Sequence, residues 1–183
     1  YNEQEEKVRK VTWDDYAMNP KELLLDIERQ GIELHYADEV LHGIFRRPVR
    51  HYPKEVIREL LVNAFAHKAY TISSDILIKV YPDRLFIANP GGLPLGITPG
   101  NILHKRHRRN PHMIRVLHDL DLMEGEGSGY DMVYEKLLSD GKALPDIQSD
   151  FNEMHVTVYS NIIDENLLTL LDYVQKHFEL KQR

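Results

Sequence analysis

The chain has 183 residues, 42% of them apolar, enough for one good core with a small appendage. Lysine and arginine number 23 and aspartate and glutamate 29, so the formal net charge is −6, which argues against a protein that is mainly a nucleic-acid clamp. There is no cysteine, which excludes disulfides and thiolate metal sites, and no apolar run approaches the length of a membrane span.

The sequence opens on Tyr1 rather than Met, as expected of a piece of a longer protein. The charged start NEQEEKVRK reads as frayed or helical. NPKELLLDIERQG predicts a helix: Asn19 caps it, Pro20 suits its first turn, Leu23, Leu24 and Ile27 make an apolar face, and Gly31 ends it. Residues 32–50 are ambiguous. IELHY alternates like a strand, and GIFRRPVRHYP reads as another, interrupted by Pro48.

Pro53 opens a second helix that runs to about His67. SDILIKV and RLFIANP are strands joined at a turn containing Pro82 and Asp83. A glycine- and proline-rich loop follows, then the helix NPHMIRVLHDLDLM with Asn110 as its cap. GEGSG leads into the helix YDMVYEKLLSDG. EMHVTVYS is a strand with Met154, Val156 and Val158 on one face, and DENLLTLLDYVQKHF is a last amphipathic helix. Helices set apart from a mostly antiparallel sheet predict an α+β, two-layer sandwich with the helices on one face. The expected division is an N-terminal extension over 1–50, a core over 51–160, and a C-terminal helix over 161–183.

Four stretches bear on chemistry. In ELLVNAFAHKAY, Glu59, Asn63 and His67 recur at steps of four and so share one side of a helix, beside the arc of Ile57, Leu60, Leu61, Ala64 and Phe65 that faces the sheet. An Asn oxygen there suits Mg²⁺, and a carboxylate one turn away can take a proton from water; a solvated helix face fits the same spacing. In IANPGGLP, Asn89 offers a donor and an acceptor to a base edge, while Gly91 and Gly92 allow φ > 0 or a close approach of backbone; a plain turn fits too. GEGSG places Gly125, Gly127 and Gly129 around Ser128 ahead of a helix, as a phosphate site requires or as any loop entry does. HKRHRRN, which includes Arg109 and Asn110, is the densest positive cluster: a triphosphate screen, a DNA contact or a solvated basic face.

In order, these motifs resemble the ATP-binding fold shared by gyrase, the heat-shock chaperone, histidine kinases and MutL, known as GHKL. More closely, YPKEVIRELLVNAFAHKAY, IANPGGLP and RRNPHMIRVLHDLDLMEGEGSGYDMV, over about 52–159, resemble the C-terminal domain of RecG-related transcriptional regulators, often labelled ATP-dependent DNA helicases. The resemblance implies Glu59 as general base and Asn63 as Mg²⁺ ligand. It sets His67, Asn89, Gly91, Gly92, Arg109, Asn110, Gly127, Ser128 and Gly129 around ATP, with a mobile lid over 93–124. Two departures stand out. Asn89 occupies the place of an adenine-reading Asp, and AHKAY has Lys68 and Ala69 where the family has Arg and Asp.

The implied function is a nucleotide-binding domain of a cytoplasmic regulator, with weak or no hydrolysis. DNA is contacted through domains outside this chain, the last helix begins a winged-helix segment, and a homodimer is left open. A helicase motor needs the phosphate loop G-x-x-x-x-G-K-[ST], which the chain lacks. Two alternatives stay open: a degenerate module serving dimerisation or DNA-linked regulation, and a slow ATPase whose turnover closes the lid.

Overall fold

A computed structural model describes residues 1–13, 17–42, 45–123 and 129–163. The expected last helix, Gly127 and Ser128 lie outside the described residues. Helix α1 (Pro20–Gln30) starts as its sequence dictates. Asn19 accepts from the backbone of Lys21 and Glu22, and Glu22 accepts from the Asn19 N–H, a complete capping box.

The segment 32–50 corrects two expectations. IELH is a 3₁₀ turn, Ile32–His35, rather than a strand, and only Leu34 of it is buried. A five-residue alternation is too short to distinguish a strand from a turn that tucks one side chain inward. Strands β1 (Ala37–His42) and β2 (Phe45–Arg50) form a separate antiparallel pair. Pro48 does not interrupt β2: it sits opposite Glu39, and a two-stranded ribbon has free edges where its missing N–H costs nothing.

Helix α2 (Lys54–His67) is the centre of the molecule. Leu60, Leu61 and Ala64 are buried as the periodicity predicts, but so are Val56, Val62 and Ala66. The helix meets two apolar groups. Leu60 and Leu61 join the main core with Leu85, Ile87, Val133, Leu137, Val156 and Val158. Val62 and Ala66 face Leu117 and Leu122 of α3 (Pro111–Asp119) and its exit.

The main sheet has the order β3-β4-β6-β5 and is antiparallel throughout. Its strands are β3 (Leu77–Val80), β4 (Arg84–Pro90), β5 (Asp146–Ser149) and β6 (Glu153–Tyr159). β5 escapes the sequence reading because it is a polar edge strand with one buried residue, Ile147. In register, Leu85 opposes Val158, Ile87 opposes Val156 and Asn89 opposes Met154. Side chains alternate across a strand, so Asn89 continues the inward row begun by Leu85 and Ile87. Helix α4 (Gly129–Ser139) packs on α2 and contributes Val133 and Leu137 to the core. The architecture is the expected α+β sandwich, with helices packed on an antiparallel sheet.

Candidate functional site

A cleft of about 350 Å³ opens between α2, the end of β4, the loop 93–109 and the start of α4. Glu59, Asn63, His67, Asn89, Gly91, Gly92, Arg109 and Gly129 all line it. Residues from four separate parts of the chain therefore meet at one place. Asn110 does not line this cleft. It lies in a second groove with Tyr70 and Phe151, behind the two glycines.

The stripe on α2 is internally bonded. The Asn63 amide nitrogen donates to Glu59 Oε1 at 2.9 Å, across one helical turn. A carboxylate can only accept, so this contact fixes the Asn63 amide and leaves its oxygen free as an acceptor. Across from the pair stands Gly129, the first residue of α4; a Cβ there would overlap Glu59 Oε1. The carboxylate thus sits against a helix N-terminus, where negative charge is favoured. His67, one turn beyond Asn63, is a neutral imidazole: burial first, then the charges of Arg109 and His107, push its pKa down to about 4.

At the far end of β4, Asn89 is 7% exposed. Its Oδ1 is buried and has no hydrogen-bond partner among the described residues. A buried amide oxygen left unpaired is costly and normally satisfied, so it marks a place made for a donor. The glycines after it have structural reasons to be glycine. Gly91 has φ +93°, and its N–H donates to Asn152 O at 2.6 Å. Gly92 runs so close to the backbone of Asp150 that a Cβ would collide with the carbonyl, and its N–H points to Phe151 O at 3.4 Å.

The expected cap at Asn110 is a correction. Its side chain makes no bond to the start of α3. Instead its amide nitrogen donates to Ala66 O at 3.0 Å and Lys68 O at 2.7 Å. The last carbonyls of α2 have no partner within the helix, and Asn110 supplies one from outside. Arg109 does the same with His67 O at 3.0 Å and also donates to Gly92 O. These two residues fasten the root of the 93–109 loop to α2 and to the glycine turn.

The reading of single motifs missed what the cleft assembles. Arg58, Lys105, Arg106, Arg108 and Arg109 line it, with the carboxylates of Glu59 and Asp131 among the described residues. Met154 is also there, and it could have been found from its place beside Val156 on one face of β6. No group of three or more His, Cys, Asp or Glu among the described residues could hold a metal by itself.

Residues 73–158 match the family described as "Putative ATP-dependent DNA helicase recG C-terminal". The resemblance to the RecG-related domain holds. The match begins after α2, so the helix bearing Glu59 and Asn63 precedes the matched segment. Among solved structures, the chain is similar to the DIP2311 protein from Corynebacterium diphtheriae, with a TM-score of 0.75 and 25% identity. That alignment covers 82% of this chain and 31% of the other, so the chain spans about a third of the longer protein. No curated protein matches. The RecG C-terminal family is ATPase-like, and no helix among the described residues is long and apolar enough to cross a membrane.

Proposed function

We propose that the cleft binds a nucleoside triphosphate, as ATP is bound in the family's wider fold, and that hydrolysis is weak or absent. The observation that carries this is one cleft with a buried, unpaired amide at Asn89 and five cationic side chains around it. An unpaired acceptor suits the donor of a base edge, and clustered guanidinium and ammonium groups suit phosphate. Asn63, whose nitrogen is engaged by Glu59, would hold Mg²⁺ through its amide oxygen. Mg²⁺, when bound, supplies charge neutralisation along the phosphate chain. Glu59 is the candidate base, but it is held by Asn63 and packed against Gly129, which favours slow turnover. Transcriptional regulation, DNA contact through further domains, dimerisation and a cytoplasmic location rest on the family resemblance and are proposed with it.

A second reading, a degenerate module without nucleotide, is favoured by one observation. The N–H groups of Gly91 and Gly92 face the carbonyls of Asn152 and Phe151, so neither is directed at a ligand. Calorimetry of ATP with and without Mg²⁺ decides between the two. The triphosphate reading expects saturable binding whose metal-dependent part disappears in Asn63→Ala. Absence of binding in both conditions refutes it and leaves the module. Phosphate release lost in Glu59→Gln is the sign of a slow ATPase.

A further inference from the structure

We propose that Asn89 makes the base end of the cleft accept adenine and guanine nucleotides alike; this rests on the nucleotide reading above and names its substrate class. The two asparagines of the cleft differ in one respect. The Asn63 amide is pinned, because its nitrogen must face the Glu59 carboxylate at 2.9 Å. Among the described residues nothing pins the Asn89 amide: neither its Oδ1 nor its nitrogen makes a hydrogen bond there. Yet the side chain is more than nine-tenths buried and lines the cleft. It therefore stands ready to pair with a ligand in either of two orientations.

The chemistry of the two purines makes that freedom matter. Adenine presents an amino donor beside the N1 acceptor. Guanine presents the O6 acceptor beside the N1–H donor, the same pattern reversed. A half-turn of a carboxamide about its last torsion exchanges its oxygen and nitrogen, and that torsion is broadly two-fold. The turn breaks no bond within the protein, so Asn89 meets either edge with a donor opposite each acceptor. A carboxylate at the same place has no donor. It would accept from the adenine amino group but set oxygen against oxygen at guanine O6, and a site leaving such a group unpaired discriminates strongly. The walls beside Asn89 are Ile87, Met154 and Val156, which provide apolar contact and no further reading of the edge.

The test is calorimetry of ATP, GTP and inosine triphosphate against the wild-type chain and Asn89→Asp. Inosine carries the O6 and N1–H edge of guanine without its 2-amino group. In the wild type all three are expected to bind within about threefold of one another. In Asn89→Asp, ATP is expected to be retained while GTP and inosine triphosphate weaken tenfold or more. Wild-type ATP binding tenfold or more tighter than GTP overturns the inference and leaves the nucleotide reading standing. So does tight GTP with weak inosine triphosphate, which would place the reading on the 2-amino group. Binding of no nucleotide at all overturns both. Asn89→Asp is checked for native circular dichroism; if it does not fold, the three wild-type affinities decide alone.

Discussion

His67 ought to make the fold acid-sensitive in a measurable way. An unperturbed imidazole titrates at 6.5; here burial, then Arg109, then His107 bring it to about 4. Between those values the unfolded chain holds a proton on this residue that the folded chain excludes. Stability therefore falls as pH drops through the unfolded pKa, and the loss levels off below the folded one. Going from pH 7 to pH 5, the two titration curves give a cost of about 2 kcal/mol from His67 alone. The perturbation is His67→Gln, which cannot titrate. Urea unfolding of both chains at the two pH values is the assay, with equal m-values as the condition for comparison. The carboxylates titrate in both proteins and cancel, so wild type is expected to lose about 2 kcal/mol more than the variant. Equal losses in both would refute the reasoning, because the imidazole would then titrate alike in the folded and unfolded chains.

Three simpler outcomes follow from packing and capping. Gly92→Ala sets a Cβ onto the Asp150 carbonyl, a backbone atom that can yield only if the β5–β6 turn moves; a loss of about 1–3 kcal/mol in urea unfolding is expected, and an unchanged midpoint contradicts the close approach. Leu117→Ala empties a fully buried site between α2 and α3, with an expected loss of about 2–5 kcal/mol by the same measurement. Asn19→Ala removes the acceptor of two α1 amides and is expected to lower stability by about 1 kcal/mol, read as a drop in the thermal midpoint.

What could be read from the sequence was what local chemistry decides. The α1 start was legible because Asn19, Pro20 and Glu22 act on the four residues around them. Strands β3, β4 and β6 were legible because their inward rows are apolar and alternate. Asn110 was misread for a definite reason. Its place before Pro111 is that of a cap, but α2 ends nearby in space with unpaired carbonyls, and that neighbourhood is invisible along the chain. The stripe of Glu59, Asn63 and His67 was legible as a stripe. Its lining of a cleft was expected from the order of the motifs and not from the spacing, because it depends on Gly129 and Asn89 arriving from other elements.

Charge shows the same limit more sharply. A net charge of −6 says little about a site, since fields between exposed charges fade within about 8–10 Å at ordinary ionic strength. The sum over the chain averages acidic surface that a ligand in the cleft never senses. What it would sense is the lining: Arg58, Lys105, Arg106, Arg108 and Arg109 outnumber Glu59 and Asp131 among the described residues. Four of the five come from the run HKRHRRN, whose composition alone fitted a triphosphate screen, a DNA contact and a solvated face equally. Arg109 supplies the distinguishing fact: it is half-buried and bonded to the end of α2 and to the glycine turn, so the root of this basic run is fixed at the mouth of the cleft. A cationic run anchored there would bear on a small polyanion of the kind proposed for the cleft, with the run's own composition unchanged and only its placement deciding.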